Sequence, residues 1–424
     1  MHNCLKIILA FTFLFSAAFN QAIAEEVLDW RACIKEAAKN HPDLIAAEEE
    51  VKQSQASKKI TASALYPQVS SNLGASTAKT AGTSGSSTGD TYTYGVSGTQ
   101  LVFDGIKTIN NVRAASENIK ASKENFRFTS ATVRFRLRTA FVDLLKAQDN
   151  LRITREIYDI RRGNLELISL RYESGLEHKG ALLTAEADLA QAEYNIAQAK
   201  RDVEVAQRDL IKEMGRTALV PIEVKGNFQV KDAARSKPVF EAIVQNNPSL
   251  RQIIAEKNAA NFSLRSAYAN YSPVLSGQAG ANKTGSHWTP NKDRWNLGLT
   301  VSMPIFEGGL RSAQVNQARA TLNQLRENER SAKDGVILKL EQTWAAFQDA
   351  MDNMEVQHKQ LIATQERSKI AQAEYSTGFI TFDNWTIIED NLVNAKSAFL
   401  DAEANMLLAE ASWIQAKGET LENE

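Results

Sequence analysis

Two hydrophobic periods alternate along this chain, and the alternation happens twice. In the second half Trp295, Leu297, Leu299, Val301 and Met303 are interleaved with Asn296, Gly298, Thr300 and Ser302. A period of two predicts a strand with one greasy and one polar face. Leu275, Gly277, Ala279 and Ala281 against Ser276, Gln278, Gly280 and Asn282 repeat the pattern more weakly. In the first half Tyr92, Tyr94 and Val96 alternate with Thr93, Gly95 and Ser97, while Val69, Leu73 and Ala75 share a parity facing Gln68, Ser70, Asn72 and Gly74. Each half thus predicts one hairpin, about 66–103 and about 272–305, with strands of roughly 9–11 residues, the length of a tilted strand crossing a bilayer. The small polar face suits a water-filled interior. Lys79 to Asp90 and Lys283 to Asp293 predict solvated loops at the hairpin ends. Tyr92, Tyr94, Trp288 and Trp295 lie near them, where an interfacial aromatic girdle belongs.

After each hairpin the period changes. Lys107 to Tyr172 and Leu310 to Tyr375 contain no proline and one glycine each, Gly163 and Gly335, in runs rich in Ala, Arg, Glu and Leu. Such runs predict rods of about 100 Å at 1.5 Å per residue, and the long helices extend over about 107–215 and 310–418 with a glycine break inside each. Beyond the breaks a strict 3-4 alternation sets in: Leu189, Ala192, Ile196, Ala199, Val203, Ala206 and Leu210, then Leu392, Ala395, Phe399, Ala402, Met406, Ala409 and Trp413. Sustained heptads predict coiled-coil packing. Alanine rows let a partner helix come close, which is equally what the core of a helical bundle needs.

The two halves are copies of one plan. Tyr172-Glu173-Ser174-Gly175 returns as Tyr375-Ser376-Thr377-Gly378, Val102-Phe103-Asp104-Gly105 as Ile305-Phe306-Glu307-Gly308, and Gly215 as Gly418, each 203 residues on (378−175). Upstream the offset is 206: Asn40-His41-Pro42 matches Asn246-Asn247-Pro248, and Tyr66-Pro67 matches Tyr271-Ser272-Pro273. The three-residue difference falls between Pro67 and Gly105, which marks a loop, since loops tolerate length changes. The repeats are expected at 27–225 and 238–424.

Composition narrows the setting. Residues 1–24 predict a secretory signal: Lys6, an apolar run from Ile7 to Phe15, and Ala22-Ile23-Ala24 ahead of Glu25. A membrane anchor would need about 20 apolar residues, and Ser16, Asn20 and Gln21 cut this run short. The remaining 25–424 hold 48 Lys+Arg (49 less Lys6) against 50 Asp+Glu, so no basic surplus points to nucleic acid. Cys33 is the one cysteine left and is expected as a small buried side chain. No enzymatic grammar appears. His41, His178, His287 and His358 are scattered, no helical pair has metal-ligand spacing, and Gly175 to Gly180 has phosphate-loop glycine spacing but Ala181-Leu182 where Lys-Ser/Thr is required. The expectation is no enzyme, no metal and no cofactor. Four strands cannot close a membrane barrel alone, the smallest common ones having about eight, so the chain must oligomerise if its strands are in lipid; the strand count by itself allows a dimer.

Signal peptide, duplicated halves, hairpins entered through Tyr-Pro or Tyr-Ser-Pro, Phe-Asp-Gly or Phe-Glu-Gly turns into rod-length helices, and Tyr-x-x-Gly breaks together resemble the TolC family of outer-membrane efflux proteins, over residues 27–418. The resemblance implies a mainly α fold with a membrane β-barrel: a homotrimer whose subunits each give four strands to one twelve-stranded outer-membrane barrel and long antiparallel coiled-coil helices to a hollow periplasmic α-barrel. It also implies passive conduction, with an inner-membrane pump supplying energy and a periplasmic adaptor docking on the helical tip. Tyr172, Gly175, Leu176, Tyr375, Gly378 and Phe379 are then the adaptor-facing turns, with Leu176 and Phe379 either buried by a partner or packed within the tip. Better-known members carry aspartates six and nine positions past the second glycine; here these are Asn384 and Ile387. Asp383, beside Asn384, is either an aperture residue or a helix-start residue stabilised by the dipole, while Trp385 and Ile388 fall in phase with the seam. The competing reading is an exported coiled-coil structural or adhesive protein, which gives no reason for bilayer-length strands.

Overall fold

A computed structural model of the chain describes residues 26–82, 85–218, 220–230 and 236–423. The expected signal segment, 1–24, lies outside them. The described elements are β1 (Glu26–Leu28), α1 (Trp30–Asn40), α2 (Pro42–Ser63), β2 (Gln68–Gly82), β3 (Gly85–Phe103), α3 (Lys107–Glu173), α4 (Lys179–Glu213), β4 (Ile222–Val224), α5 (Phe240–Val244), α6 (Pro248–Ala269), β5 (Val274–Gly285), β6 (Lys292–Ser302), α7 (Leu310–Ser376), α8 (Phe382–Lys417) and a terminal 3-10 turn, Leu421–Asn423. Both α3 and α7 run 67 residues, through Gly163 and Gly335. No atom stands within 4 Å of a Cβ built on either glycine, so neither residue is there for close packing.

The chain forms two compact units, each drawing on both copies: 26–45, 129–240 and 338–423 in one, 46–128 and 241–337 in the other. In the second unit the strands make one antiparallel sheet in the order β2-β3-β5-β6. Its helical segments pack through alanines, with Ala47, Ala114, Ala121, Ala255, Ala259 and Ala260 buried. Small side chains there permit close helix approach, and short polar bridges seal the seams: Ser54 to Ser122 at 2.7 Å and Asn270 to Gln314 at 3.0 Å.

In the first unit β1 and β4 form a parallel two-stranded ribbon. The buried side chains of this unit include Val133, Leu137, Phe141, Leu144, Leu210, Met214 and Ile222. Cys33 is fully buried there, as expected, and burial pushes its thiol up to about 12. Phe240, Trp344 and Trp413 pack edge to face, with centroids 6.2 and 5.3 Å from Trp413.

The strand lengths correct the sequence expectation. β2 and β3 have 15 and 19 residues, β5 and β6 have 12 and 11. The Lys79–Asp90 segment is not a loop: the ladder continues through Lys79↔Thr88 to Gly82↔Gly85. Its Gly/Ser/Thr composition signals exposure to water, which does not prevent backbone pairing; Thr77 even donates across the pair to Asp90 at 2.7 Å. The three-residue length difference sits at this end. Gln68↔Thr99 maps onto Val274↔Ser302 under the two offsets, so the hairpins share one register below it.

Candidate functional site

The sheet sorts most of its side chains by chemistry, Ser71, Gln100, Lys283 and Leu101 being exceptions. Residues directly opposite one another share a face. One face therefore carries Val69, Leu73 and Ala75, then Tyr92, Tyr94 and Val96, then Leu275, Ala279 and Ala281, then Trp295, Leu297, Leu299 and Val301. The other carries Ser70, Asn72, Thr93, Ser97, Gln278, Asn282, Asn296 and Thr300. A bulge in β3, where the register steps between Leu101 and Phe103, returns Phe103 to the apolar face opposite Leu275. Val69, Leu73, Trp295, Leu297, Leu299 and Val301 are all strongly exposed, the inverse of a soluble sheet. At the hairpin end Trp288 receives Tyr92 and Tyr94 edge to face at 5.6 and 5.8 Å, and the Tyr94 hydroxyl donates to the Trp288 carbonyl. β2 and β6 are the sheet's two edges, each paired on one side only.

The second site is built by the two helix-to-helix turns. Each long helix stops the same way. The amide of Leu176 donates to the Arg171 carbonyl at 2.8 Å and that of Gly175 to Tyr172 at 3.0 Å; Phe379 donates to Glu374 at 2.8 Å and Gly378 to Tyr375 at 3.0 Å. This six-residue closure needs a left-handed residue, and the glycines supply it at φ +70° and +81°. His178 and Thr381 then cap α4 and α8, accepting from the amides of Ala181 and Asn384.

The turns meet in a buried cluster of Ile168, Ala181, Ala185, Ala371, Tyr375, Phe382 and Trp385, with Ile388 packed against it. Tyr375 stacks on Trp385 at 4.4 Å and 10°, and the Arg171 guanidinium sits 4.7 Å above the tyrosine ring. The Tyr375 hydroxyl donates to Glu177 at 2.8 Å, and Arg171 donates to the Tyr375 carbonyl at 3.3 Å. Burial first, and then this hydrogen bond to a carboxylate, hold the phenol well above its usual range. Beside the cluster Ser368 donates to the buried Glu389 at 2.5 Å, and Arg161 bridges Asp390 and, at 3.6 Å, Asp188.

Of the expected tip residues, Tyr375 is in this cluster, while Tyr172, Leu176 and Phe379 are exposed. Leu176 and Phe379 are therefore not buried by their own chain. Asp383 and Asn384 are exposed in the first turn of α8, where a carboxylate is favoured by the helix dipole. Ile387 lines a groove of about 710 Å³ with Asn384, Ile370, Ile380, Glu366 and Arg367. Along the heptad seam Ala192, Ala199, Leu392, Ala395 and Ala402 are buried, and Leu189, Ile196 and Phe399 half-buried. Arg171, Glu177, Arg161 and Ser368 were not singled out in the sequence as partners. A signal existed for two of them: 203 residues on, Arg171 becomes Glu374 and Glu177 becomes Ile380. Among the described residues no group of three or more His, Cys, Asp and Glu could hold a metal, and no helix is long and apolar enough to cross a membrane.

Comparison with known proteins agrees with this geometry. A family model described as outer membrane efflux protein matches residues 33–216 and 239–419. The outer membrane efflux protein BepC of Brucella suis is 23% identical over 406 residues, covering 94% of this chain and 86% of its own length. In fold the chain resembles CusC, with a TM-score of 0.82, 20% identity and coverage of 91% of both chains. It also resembles the CmeC outer membrane channel of Campylobacter jejuni, with a TM-score of 0.81, 19% identity and coverage of 91% of this chain and 84% of that one.

Proposed function

Because the chain belongs to the outer membrane efflux protein family and is an outer-membrane channel for efflux, we propose that three copies pool their sheets into one twelve-stranded barrel that conducts cargo passively, delivered by an inner-membrane pump through a periplasmic adaptor. The observation that carries this reading is the four-stranded sheet itself. Its apolar face suits lipid, its polar face suits a water-filled lumen, and its two edges would leave backbone groups unpaired in hydrocarbon at several kcal/mol each (roughly, per group) unless another chain pairs with them. An exported structural or adhesive coiled coil needs none of this and is not favoured. As a channel the chain has no call for catalytic residues, and its energy comes from the pump. Residues 1–24 act as the export signal and are removed.

The Tyr172–Leu176 and Tyr375–Phe379 turns form the adaptor-facing end, with Leu176 and Phe379 offering exposed apolar side chains to a partner. Asp383 and Asn384 stand at the aperture. Opening there is opposed by the cluster that ties Tyr375 to Arg171 and Glu177.

The direct test is to purify the protein from outer membranes and record it in planar bilayers. Trimers that give ion channels are expected; recovery with soluble periplasmic proteins, or an oligomer that never conducts, overturns the reading. The turns are tested separately. Gly378→Val forces a β-branched residue into a left-handed conformation costing about 1–2 kcal/mol, with no atom within 4 Å to clash. Export and adaptor cross-linking should fall while insertion and trimer formation persist. Normal export and cross-linking in both Gly175→Val and Gly378→Val would remove these turns from the docking surface.

A further inference from the structure

The charges of the hairpins are divided unequally between the two faces of the sheet. Alternate residues make up the polar face: Gln68 to Gly82 on β2, Gly85 to Leu101 on β3, Val274 to Thr284 on β5 and Lys292 to Ser302 on β6. Among the described residues this face carries no carboxylate, and its charged side chains are Lys292 and Arg294 alone. The carboxylates at the same end of the sheet, Asp90 and Asp293, lie on the apolar face, and both are engaged there. Thr77 donates to Asp90 at 2.7 Å, and Lys283 meets Asp293 at 3.1 Å.

Rung by rung, the neighbours of the two cations are neutral. Arg294 stands opposite Asn282, which stands opposite Gly95, which stands opposite Asn72. Lys292 stands opposite Thr284, followed in the same way by Thr93 and Gly74. The segment joining β5 to β6, Ser286 to Asn291, adds no carboxylate. Both cations are exposed. Two positive charges about 7 Å apart along one face of a strand repel each other, and no carboxylate on that face offsets the repulsion. The pair therefore does nothing to hold the sheet together.

Resting on the barrel reading above, we infer that Lys292 and Arg294 form a ring of positive charge inside the outer mouth of the channel, a site for multivalent anions that favours anionic over cationic solutes at the exit. Each hairpin joins its helices at the opposite end of its strands, so these residues stand at the end away from the rods. Three copies with two cations each would place six around one opening. Because no strand of the sheet carries a carboxylate on its polar face, no order in which the copies join neutralises the ring from within the barrel. A water-filled opening in a wall of low dielectric focuses such a field, and rings of Lys or Arg are how pores select anions.

Planar bilayers test this with inorganic tripolyphosphate as the probe. Rods of about 100 Å with charged surfaces do not cross lipid, so protein added to one chamber presents its hairpin ends to the other. Tripolyphosphate in that far chamber should block the current of the full-length protein, and less so as salt rises from roughly 0.1 to 1 M and the screening length falls from about 10 to 3 Å. Lys292→Gln with Arg294→Gln should raise the half-blocking concentration by about tenfold or more. Each single change should give an intermediate value, so the result does not hang on the double variant inserting. Lys292→Glu with Arg294→Glu should exchange block by tripolyphosphate for block by spermine. Lys79→Gln, exposed on the apolar face at the same end of the sheet, should change nothing. Wild-type channels that tripolyphosphate fails to block from the far chamber, a half-blocking concentration unmoved in conducting Gln variants, or an equal loss of block with Lys79→Gln, overturn the cation ring and leave the barrel standing. Wild-type protein that never conducts overturns the barrel reading and the ring with it.

Discussion

Tyr172 and Tyr375 hold the same place in the two copies, each three residues ahead of a left-handed glycine, yet Tyr172 is 39% exposed and Tyr375 only 1%. Their backbones close through the same pair of hydrogen bonds with nearly the same lengths. What differs is the company. Tyr375 has Trp385 beneath it, Arg171 above it and Glu177 at its hydroxyl. The positions that would serve Tyr172 by the same offset are Leu182, Glu374 and Ile380, so an aliphatic side chain replaces the aromatic plane, a carboxylate replaces the cation and an aliphatic side chain replaces the acceptor. Duplication therefore preserved the turn and let the side chains diverge, so that both first-copy partners of Tyr375 serve the second turn. One cluster is built from two turns.

The comparison breaks most readily at Trp385. Truncating a fully buried Trp costs about 3–5 kcal/mol, so Trp385→Ala should lower the unfolding midpoint far more than Leu182→Ala at the matching position. Equal shifts, followed by circular dichroism on heating, would mean that the stack adds nothing to the tip. Next come Ala199 and Ala402, matched across the copies and each 2% exposed. Overpacking typically costs about 1–3 kcal/mol, so Ala199→Leu and Ala402→Leu should weaken the oligomer alike in heat-dissociation gels, and unchanged stability in both would place these alanines away from any packed seam.

A smaller difference separates the tyrosines themselves. Tyr375→Phe removes one hydrogen bond while Glu177 keeps Arg171 4.0 Å away; the loss should stay near the ordinary ~0.5–1.5 kcal/mol. Tyr172→Phe should be silent in the same unfolding assay, and in bilayers Tyr375→Phe alone should raise the time spent open. The smallest effect concerns Asp188. Burial lifts its carboxyl above the usual range, Asp390 adds to the lift, and Arg161 opposes it. A raised folded value means that its contribution is fully present below the unfolded value of about 3.9 and is lost as pH rises through the folded value. Asp188→Asn should therefore stabilise the tip slightly at neutral pH, with the gain shrinking as the medium is acidified; a loss of stability at neutral pH that fades on acidification would show that the Arg161 pair outweighs burial.

How far the sequence reached depended on the range of the interaction. The 67-residue helices, the glycine breaks and the parity of each strand were legible because they are local: helix propensity without proline, φ > 0 at Gly175 and Gly378, and a period of two through Trp295 to Val301. The internal offsets made them surer, since each pattern occurred twice. The loop expected at Lys79–Asp90 failed because composition reports exposure, while pairing is settled by the strand across the way.

By itself, then, the sequence determined the order of hairpin and long helices in each copy, the two faces of the hairpins and the ends of the rods, all consequences of steric and hydrophobic rules acting over a few residues, while the short β1–β4 ribbon went unread. Only the tertiary structure decided that Arg171 and Glu177 attend Tyr375 rather than Tyr172, that Ser368 satisfies a buried Glu389, and that β3 adjoins β5 with a bulge at Val102. Those contacts join residues from 21 to about 200 positions apart. No local preference encodes such a pairing; it is selected when buried polar groups must find partners and the ladder must close on one register.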